Sequence, residues 1–215
     1  MAKQARASSS LQRIIVIRHG ERLDNVDYMW TRTAARPYDP PLTEIGVQQA
    51  RDAGKRFLGK DIHCIVSSPF LRCLQTAQQI SDVLSLPSLH TCNSIVDVLS
   101  NHCGIHEQPA VPASNVAELG INISSRDTSE LPRYPEKTRD GVKRFSPAYT
   151  RLANAFWPQN LVVVTHGYGV QEAVVKGGGS RNAFVDYCGF VEMTRTARDS
   201  DKWTTVDRGN VDEYF

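Results

Sequence analysis

Three short runs of the chain are apolar and β-branched without interruption: Ile14-Ile15-Val16-Ile17, Cys64-Ile65-Val66 and Leu161-Val162-Val163-Val164. A strand with one face in water alternates polar and apolar residues. Runs of this kind therefore read as strands buried on both faces, as in a parallel sheet covered by helices on each side. The segments between them carry matching helices. Thr43 followed by Glu44 reads as a helix start, and Val47, Ala50, Gly54 and Phe57 recur at helical spacing. Leu71, Leu74, Ala77, Ile80 and Leu84 repeat the pattern after the second strand, and Tyr149, Leu152, Ala153 and Phe156 precede the third. The expected architecture is α/β, a three-layer α/β/α domain with a mostly parallel central sheet.

A chain of 215 residues, 40% of them hydrophobic, matches one sizeable core. The domain is expected over residues 13–215, behind a disordered leader of residues 1–12. That leader, with Lys3, Arg6 and Ser8, has the basic, acid-free look of a transit peptide but is too short for one. From about residue 100 to 147 the regular pattern fades, and Pro109, Pro112, Pro132, Pro135 and Pro147 interrupt any long element. This stretch reads as an insertion over the sheet edge, of the kind that forms lids or specificity loops. The 25 basic and 23 acidic residues nearly cancel and form no block of like charge, so no nucleic-acid partner is expected. No apolar stretch approaches the roughly 20 residues that span a bilayer, and no secretory h-region follows Met1. Five cysteines without tight spacing fit reduced thiols, and a cytoplasmic location is expected.

Each buried run ends in polar residues that a packed core would reject: Arg18-His19-Gly20, then Ser67-Ser68-Pro69 with Arg72, then Thr165-His166-Gly167. The carboxyl ends of the strands form the ligand crevice of an open α/β sheet, so these segments are expected to converge. Two histidines and at least two arginines then share one pocket. The planar fork of arginine matches phosphate oxygens, and helices starting just after these loops add partial positive charge. A phosphoryl group is the expected guest.

In order and strand context, four blocks resemble those of the histidine phosphatase (phosphoglycerate-mutase-like) superfamily. They are Arg18-His19-Gly20-Glu21-Arg22, the stretch from Pro40 to Ala50, Ser67-Ser68-Pro69 through Ala77, and Val163-Val164-Thr165-His166-Gly167. The resemblance runs from about Ile14 to Val175. It implies His19 as a nucleophile that is transiently phosphorylated, Arg18 and Arg72 as phosphate clamps, and His166 as a second imidazole on the phosphoryl group. The chemistry wants these types: a neutral imidazole attacks phosphorus, and cations stabilise the equatorial oxygens without a metal. Arg22 matches the branch that resembles the suppressor of T-cell receptor signalling proteins and a transcription factor IIIC subunit, whereas mutases usually carry serine there. With Asn25 and Gly167 it is expected to line the substrate pocket.

A leaving alkoxide needs a proton, and the family usually supplies it from a glutamate in a short segment after the second helix. Here that segment reads Ser94-Ile95-Val96-Asp97-Val98-Leu99, so Asp97 is the expected acid, with a pKa raised by partial burial, and Glu107 is the alternative. Cys92, His102, Cys103 and His106 lack the spacing of a zinc site, and Gly177-Gly178-Gly179-Ser180 lacks the lysine of a P-loop. No metal and no cofactor are expected. The activity implied is hydrolysis of phosphate monoesters, on a phosphorylated small molecule or a phosphopeptide. A phosphoglycerate mutase and a non-catalytic binding module on the same fold stand as the alternatives. Oligomeric state and substrate are not legible.

Overall fold

The structure, a computed structural model, describes residues 11–87, 89–100, 116 and 119–214. Its strands are β1 (Gln12–Arg18), β2 (Ile62–Ser67), β3 (Leu89–Thr91), β4 (Ile123–Ser125), β5 (Asn160–Thr165), β6 (Ala183–Arg195) and β7 (Thr204–Glu213). Its helices are α1 (Trp30–Thr33), α2 (Glu44–Arg56), α3 (Leu71–Leu84), α4 (Thr138–Gly141), α5 (Phe145–Ala155) and α6 (Gly167–Lys176). The seven strands form one sheet in the order β4-β3-β2-β5-β1-β6-β7. β1, β5, β2, β3 and β4 pair in parallel, while β6 and β7 add an antiparallel edge.

The three apolar runs are the central strands β1, β2 and β5, and their two faces feed two cores. Ile14, Val16, Val66, Leu161 and Val163 pack with Phe145, Tyr149 and Ala153 of α5 and with Val170 and Ala173 of α6. Ile15, Ile17, Ile65, Val162 and Val164 pack with Ala50 and Phe57 beside α2 and with Leu74, Ala77 and Ile80 of α3. The three-layer α/β/α domain follows. α2 begins where expected, with the Gly46 N–H donating to the Thr43 hydroxyl at 2.9 Å as an N-cap.

Two boundaries differ from the sequence reading. The strand takes Gln12 from the supposed leader. Gln12 is fully buried, donates to the carbonyls of Ala153 and Gln159 at 2.9 Å, and accepts from Arg195 at 2.8 Å. A polar side chain satisfied on every side leaves no mark in a hydrophobic pattern. Residues 1–10 lie outside the described part of the chain. At the other limit of the insertion, Pro147 does not interrupt a helix but occupies the first turn of α5, where no backbone N–H is needed. The described part of the insertion supplies β4 to the sheet edge and α4 below it. The β6–β7 hairpin leaves no signal in the sequence, because β7 is polar and alternates in exposure without an apolar run.

Two glycines set the spacing between α2 and the loop after β1. A Cβ on Gly20 would stand 2.4 Å from the Gly46 carbonyl oxygen, and one on Gly46 would stand 2.2 Å from the Glu21 carbonyl oxygen. Backbone meets backbone here, so no flexible side chain can yield. Gly46→Ala is expected to lose about 1–3 kcal/mol of stability, read from the denaturant midpoint. A change within about 0.5 kcal/mol, the range of neutral surface substitutions, would show that the two backbones are not held in contact.

Candidate active site

The parallel ladder delivers the polar strand ends to one place. The His19 N–H donates to the Thr165 carbonyl at 3.0 Å and the Ser68 N–H to the Val164 carbonyl at 2.9 Å, so β1, β2 and β5 stop in register. His19 and His166 then face each other edge to face with ring centroids 5.4 Å apart. Both are buried, and both line a cavity of about 760 Å³ above the strand ends.

Nδ1 of His19 lies 2.8 Å from the Gly20 carbonyl oxygen. A carbonyl only accepts, so Nδ1 carries the proton and the lone pair of the neutral ring is on Nε2. Burial, followed by Arg72, His166 and Arg18, holds the pKa well below the ordinary histidine value. The ring is therefore neutral at neutral pH, with one nitrogen available as a nucleophile.

Arg72 enters from the first turn of α3 and is 1% exposed. Its Nη2 donates to Asp97 at 2.7 Å, its guanidinium lies over the Phe70 ring at 4.6 Å, and its Nε and Nη1 have no hydrogen-bond partner among the described residues. The Nε2 of His166 stands 2.9 Å from the Ser68 hydroxyl. Its Nδ1 is 3.3 Å from both Arg72 Nη2 and Asp97 Oδ2, and it serves only one of them at a time: it accepts from the guanidinium or donates to the carboxylate. Burial lowers the His166 pKa to about 4, against the opposing pull of Asp97, so this ring is also neutral.

Asp97 is in the expected place with an unexpected charge. Burial pushes its carboxyl up, but His166 and Arg72 outweigh burial and hold it well below the usual carboxylate range. The anticipated rise is thus absent, because the acid sits against a buried guanidinium rather than in an apolar pocket. Its partner Oδ1 accepts from the Val98 N–H at 2.9 Å.

Arg18 donates from Nη1 to the Val185 carbonyl at 2.7 Å, and its Nε has no hydrogen-bond partner among the described residues. Gly167 begins α6 and lines the cavity, where an added Cβ would stand 3.9 Å from Arg18 Nε. Arg22 lines the cavity but is clamped in bidentate fashion by Asp24 at 2.7 Å on both bonds. Asn25 is not among the lining residues; it donates instead to the hydroxyl of Tyr187. That bond ties the loop after β1 to strand β6.

Two residues of the site escaped the sequence reading. Tyr187 stacks under the Arg18 guanidinium at 4.4 Å, with its ring 6.0 Å from that of His19. It stands at a bulge in β6, where Cys188 has φ of 51° and its N–H donates to the His19 carbonyl. Asp39, 1% exposed, accepts from the Leu71 N–H at 2.6 Å and stands 3.9 Å from Arg72 Nη1. Burial lifts its carboxyl to about 6 in spite of Arg72. The only signal for Asp39 was its position next to Pro40-Pro41; for Tyr187 there was none.

Glu107, His102, Cys103 and His106 lie outside the described residues. Among the described residues no three His, Cys, Asp or Glu side chains are grouped as metal ligands would be.

The model of the histidine phosphatase superfamily, branch 1, matches residues 14–176. Human ubiquitin-associated and SH3 domain-containing protein A is 25% identical over 218 residues, which cover 78% of this chain and 32% of that protein. The chain thus spans about a third of that relative. The putative phosphoserine phosphatase 2 of Hydrogenobacter thermophilus is 24% identical over 91% of this chain and 94% of its own. The ecdysone phosphate phosphatase of Bombix mori superposes with a TM-score of 0.74 at 21% identity, covering 91% of this chain and 92% of that one, and so shares the fold. With the family match spanning all four motif blocks and the structure joining them at one cavity, the chain belongs to the histidine phosphatase superfamily, branch 1.

Proposed function

We propose that the protein is a metal-independent phosphatase that hydrolyses phosphate monoesters through a phosphorylated His19. The observation that carries this reading is the tautomer of His19: its Nδ1–H is spent on the Gly20 carbonyl, and a lone pair on Nε2 faces a cavity lined by two guanidiniums with unpartnered N–H groups. A buried cation with free donors is the match for an anion, and phosphoryl transfer is driven chiefly by positioning and electrostatic stabilisation. Nε2 attacks phosphorus as the ester oxygen departs, and water then displaces phosphate from the histidine. Arg72, Arg18 and His166 hold the equatorial oxygens in both steps. Asp97 gives its proton to the leaving oxygen in the first step and takes one from the attacking water in the second. It is ionised in the resting site, but a phosphate dianion brought to the same counter-ions raises its pKa, so the substrate generates the acid form.

Arg22, paired with Asp24 at the mouth, contributes to substrate binding rather than to the transferred group. The protein acts as hydrolase rather than mutase because the cavity holds no spare cation for the carboxylate of a phosphoglycerate among its described residues. Purified protein is expected to hydrolyse an aryl phosphate at the same rate with and without chelator, and His19→Ala is expected to lose on the order of a thousandfold or more in kcat with an unchanged fold by circular dichroism. Activity that depends strictly on an added divalent cation would overturn the mechanism.

The role of Asp97 shows in the leaving group. A general acid matters most for a poor leaving group, since a nitrophenolate departs unaided and an alkoxide does not. Asp97→Asn is therefore expected to lose on the order of a hundredfold on an alkyl phosphate and far less on nitrophenyl phosphate. Glu107→Gln is expected to leave both rates nearly unchanged. The reverse pattern would move the acid to Glu107 and leave Asp97 as the counter-ion of Arg72.

A further inference from the structure

The transferred phosphate fills only the inner end of the cavity, where His19, Arg18, Arg72 and His166 meet. A volume of about 760 Å³ lies in the range of pockets that enclose drug-sized ligands, roughly 300–1,000 Å³, so most of this space belongs to the leaving group. Its outer walls come from three separate segments. Tyr38 and Pro40 precede α2, Val98 and Leu99 follow the acid, and Tyr168 and Phe184 stand on the side of α6 and β6. Phe184 is 53% exposed and Tyr168 40%, so two aromatic rings stand at the mouth with open faces. Isolated apolar side chains on a surface are ordinary, but two rings on the rim of a deep cavity with aliphatic walls are a receptive surface.

The charges settle which guests this surface rejects. Among the described lining residues the cations are Arg18, Arg22 and Arg72 and the carboxylates are Asp24 and Asp97. Arg18 and Arg72 together balance one phosphate dianion. Arg22 is committed to Asp24 through both Nε and Nη2. A leaving group with a carboxylate or second phosphate therefore meets no unpaired cation among the described lining residues. Gln171 gives one side-chain N–H to the Ala183 carbonyl at 2.7 Å, and the outer walls at Pro37, Pro40, Val98, Leu99 and Phe184 offer no side-chain donor to a polyhydroxyl or peptide guest. Burying such groups without partners is unfavourable.

Resting on the phosphatase reading above, we infer that the physiological substrate is the phosphate monoester of a bulky, uncharged and mainly apolar alcohol or phenol, a small molecule rather than a peptide, sugar or nucleotide. Tyr38, Val98, Leu99, Tyr168 and Phe184 select it by burying its apolar surface. Phosphoglycerates and free phosphoamino acids are excluded by the same walls.

Binding separates this inference from catalysis. Calorimetry on the His19→Ala protein, which keeps both arginines, compares phenyl phosphate, 2-naphthyl phosphate and phosphotyrosine, three aryl esters that differ in bulk and charge. The second ring of the naphthyl ester is expected to tighten binding about tenfold over the phenyl ester, and phosphotyrosine is expected to bind more weakly than either. Phe184→Asp in the same background, at a half-exposed position that tolerates a charge, is expected to bring the naphthyl to phenyl ratio close to one. Equal affinities for the two uncharged esters, tightest binding by phosphotyrosine or by a phosphotyrosyl peptide, or a ratio unmoved by Phe184→Asp would overturn the inference. A naphthyl preference in a wild-type protein that hydrolyses none of these esters would uphold the pocket and defeat the phosphatase reading instead.

Discussion

The guanidinium of Arg72 is the group around which the site is arranged. A cation that is 1% exposed is unfavourable unless it is paired, and this one has Asp97 at 2.7 Å on one side, the Phe70 ring at 4.6 Å against its face, and Asp39 at 3.9 Å beyond its Nη1. Two of its nitrogens still lack hydrogen-bond partners among the described residues. A buried ion pair of this kind is weak evidence for stability and strong evidence for use, because apolar residues would fill the same space at no electrostatic penalty. Burial is the larger influence on the two histidines, and the charge of Arg72 adds to it by lowering the pKa of His19, of His166 and of Asp97.

The fold makes that placement possible by ending three parallel strands at the same level. β1 and β5 present His19 and His166, while α3 starts one short turn beyond β2 and carries Arg72 into the gap between them. The amide of Leu71 at the head of α3 is met by Asp39, and the loop after His19 is pressed on α2 through Gly20 and Gly46. On the remaining side, the bulge of β6 lays Tyr187 under Arg18 and binds the His19 carbonyl through Cys188. His19 is thus fixed at its ring by a carbonyl and at its backbone by two strands.

What the sequence made legible follows from the kind of signal each feature leaves. The central strands stood out because a doubly buried strand must be apolar throughout, and α2 and α3 because an amphipathic helix repeats every three to four residues. Arg18, His19, Arg72 and His166 stood out because polar residues at the end of such strands have no packing role. The β6–β7 hairpin left no such mark, since its outer strand is an exposed polar edge, and Gln12 left none because its partners are backbone carbonyls distant in sequence. Asp97 was found by position, but its charge state depends on the distance to Arg72, which spacing along the chain does not encode. Tyr187 depends on a bulge, and bulges arise from strand pairing rather than from composition.

The tautomer of His19 is the most exposed point of the mechanism, because it names one atom. Rapid quenching of the protein after mixing with ³²P-labelled substrate, followed by digestion and phosphorus NMR of the modified peptide, identifies the phosphorylated residue and the ring nitrogen that bears the phosphate. The hydrogen bond from Nδ1 to the Gly20 carbonyl predicts an acid-labile, base-stable phosphate on Nε2 of His19. Phosphate on Nδ1, on His166, or on a serine, cysteine or aspartate of the site would contradict it.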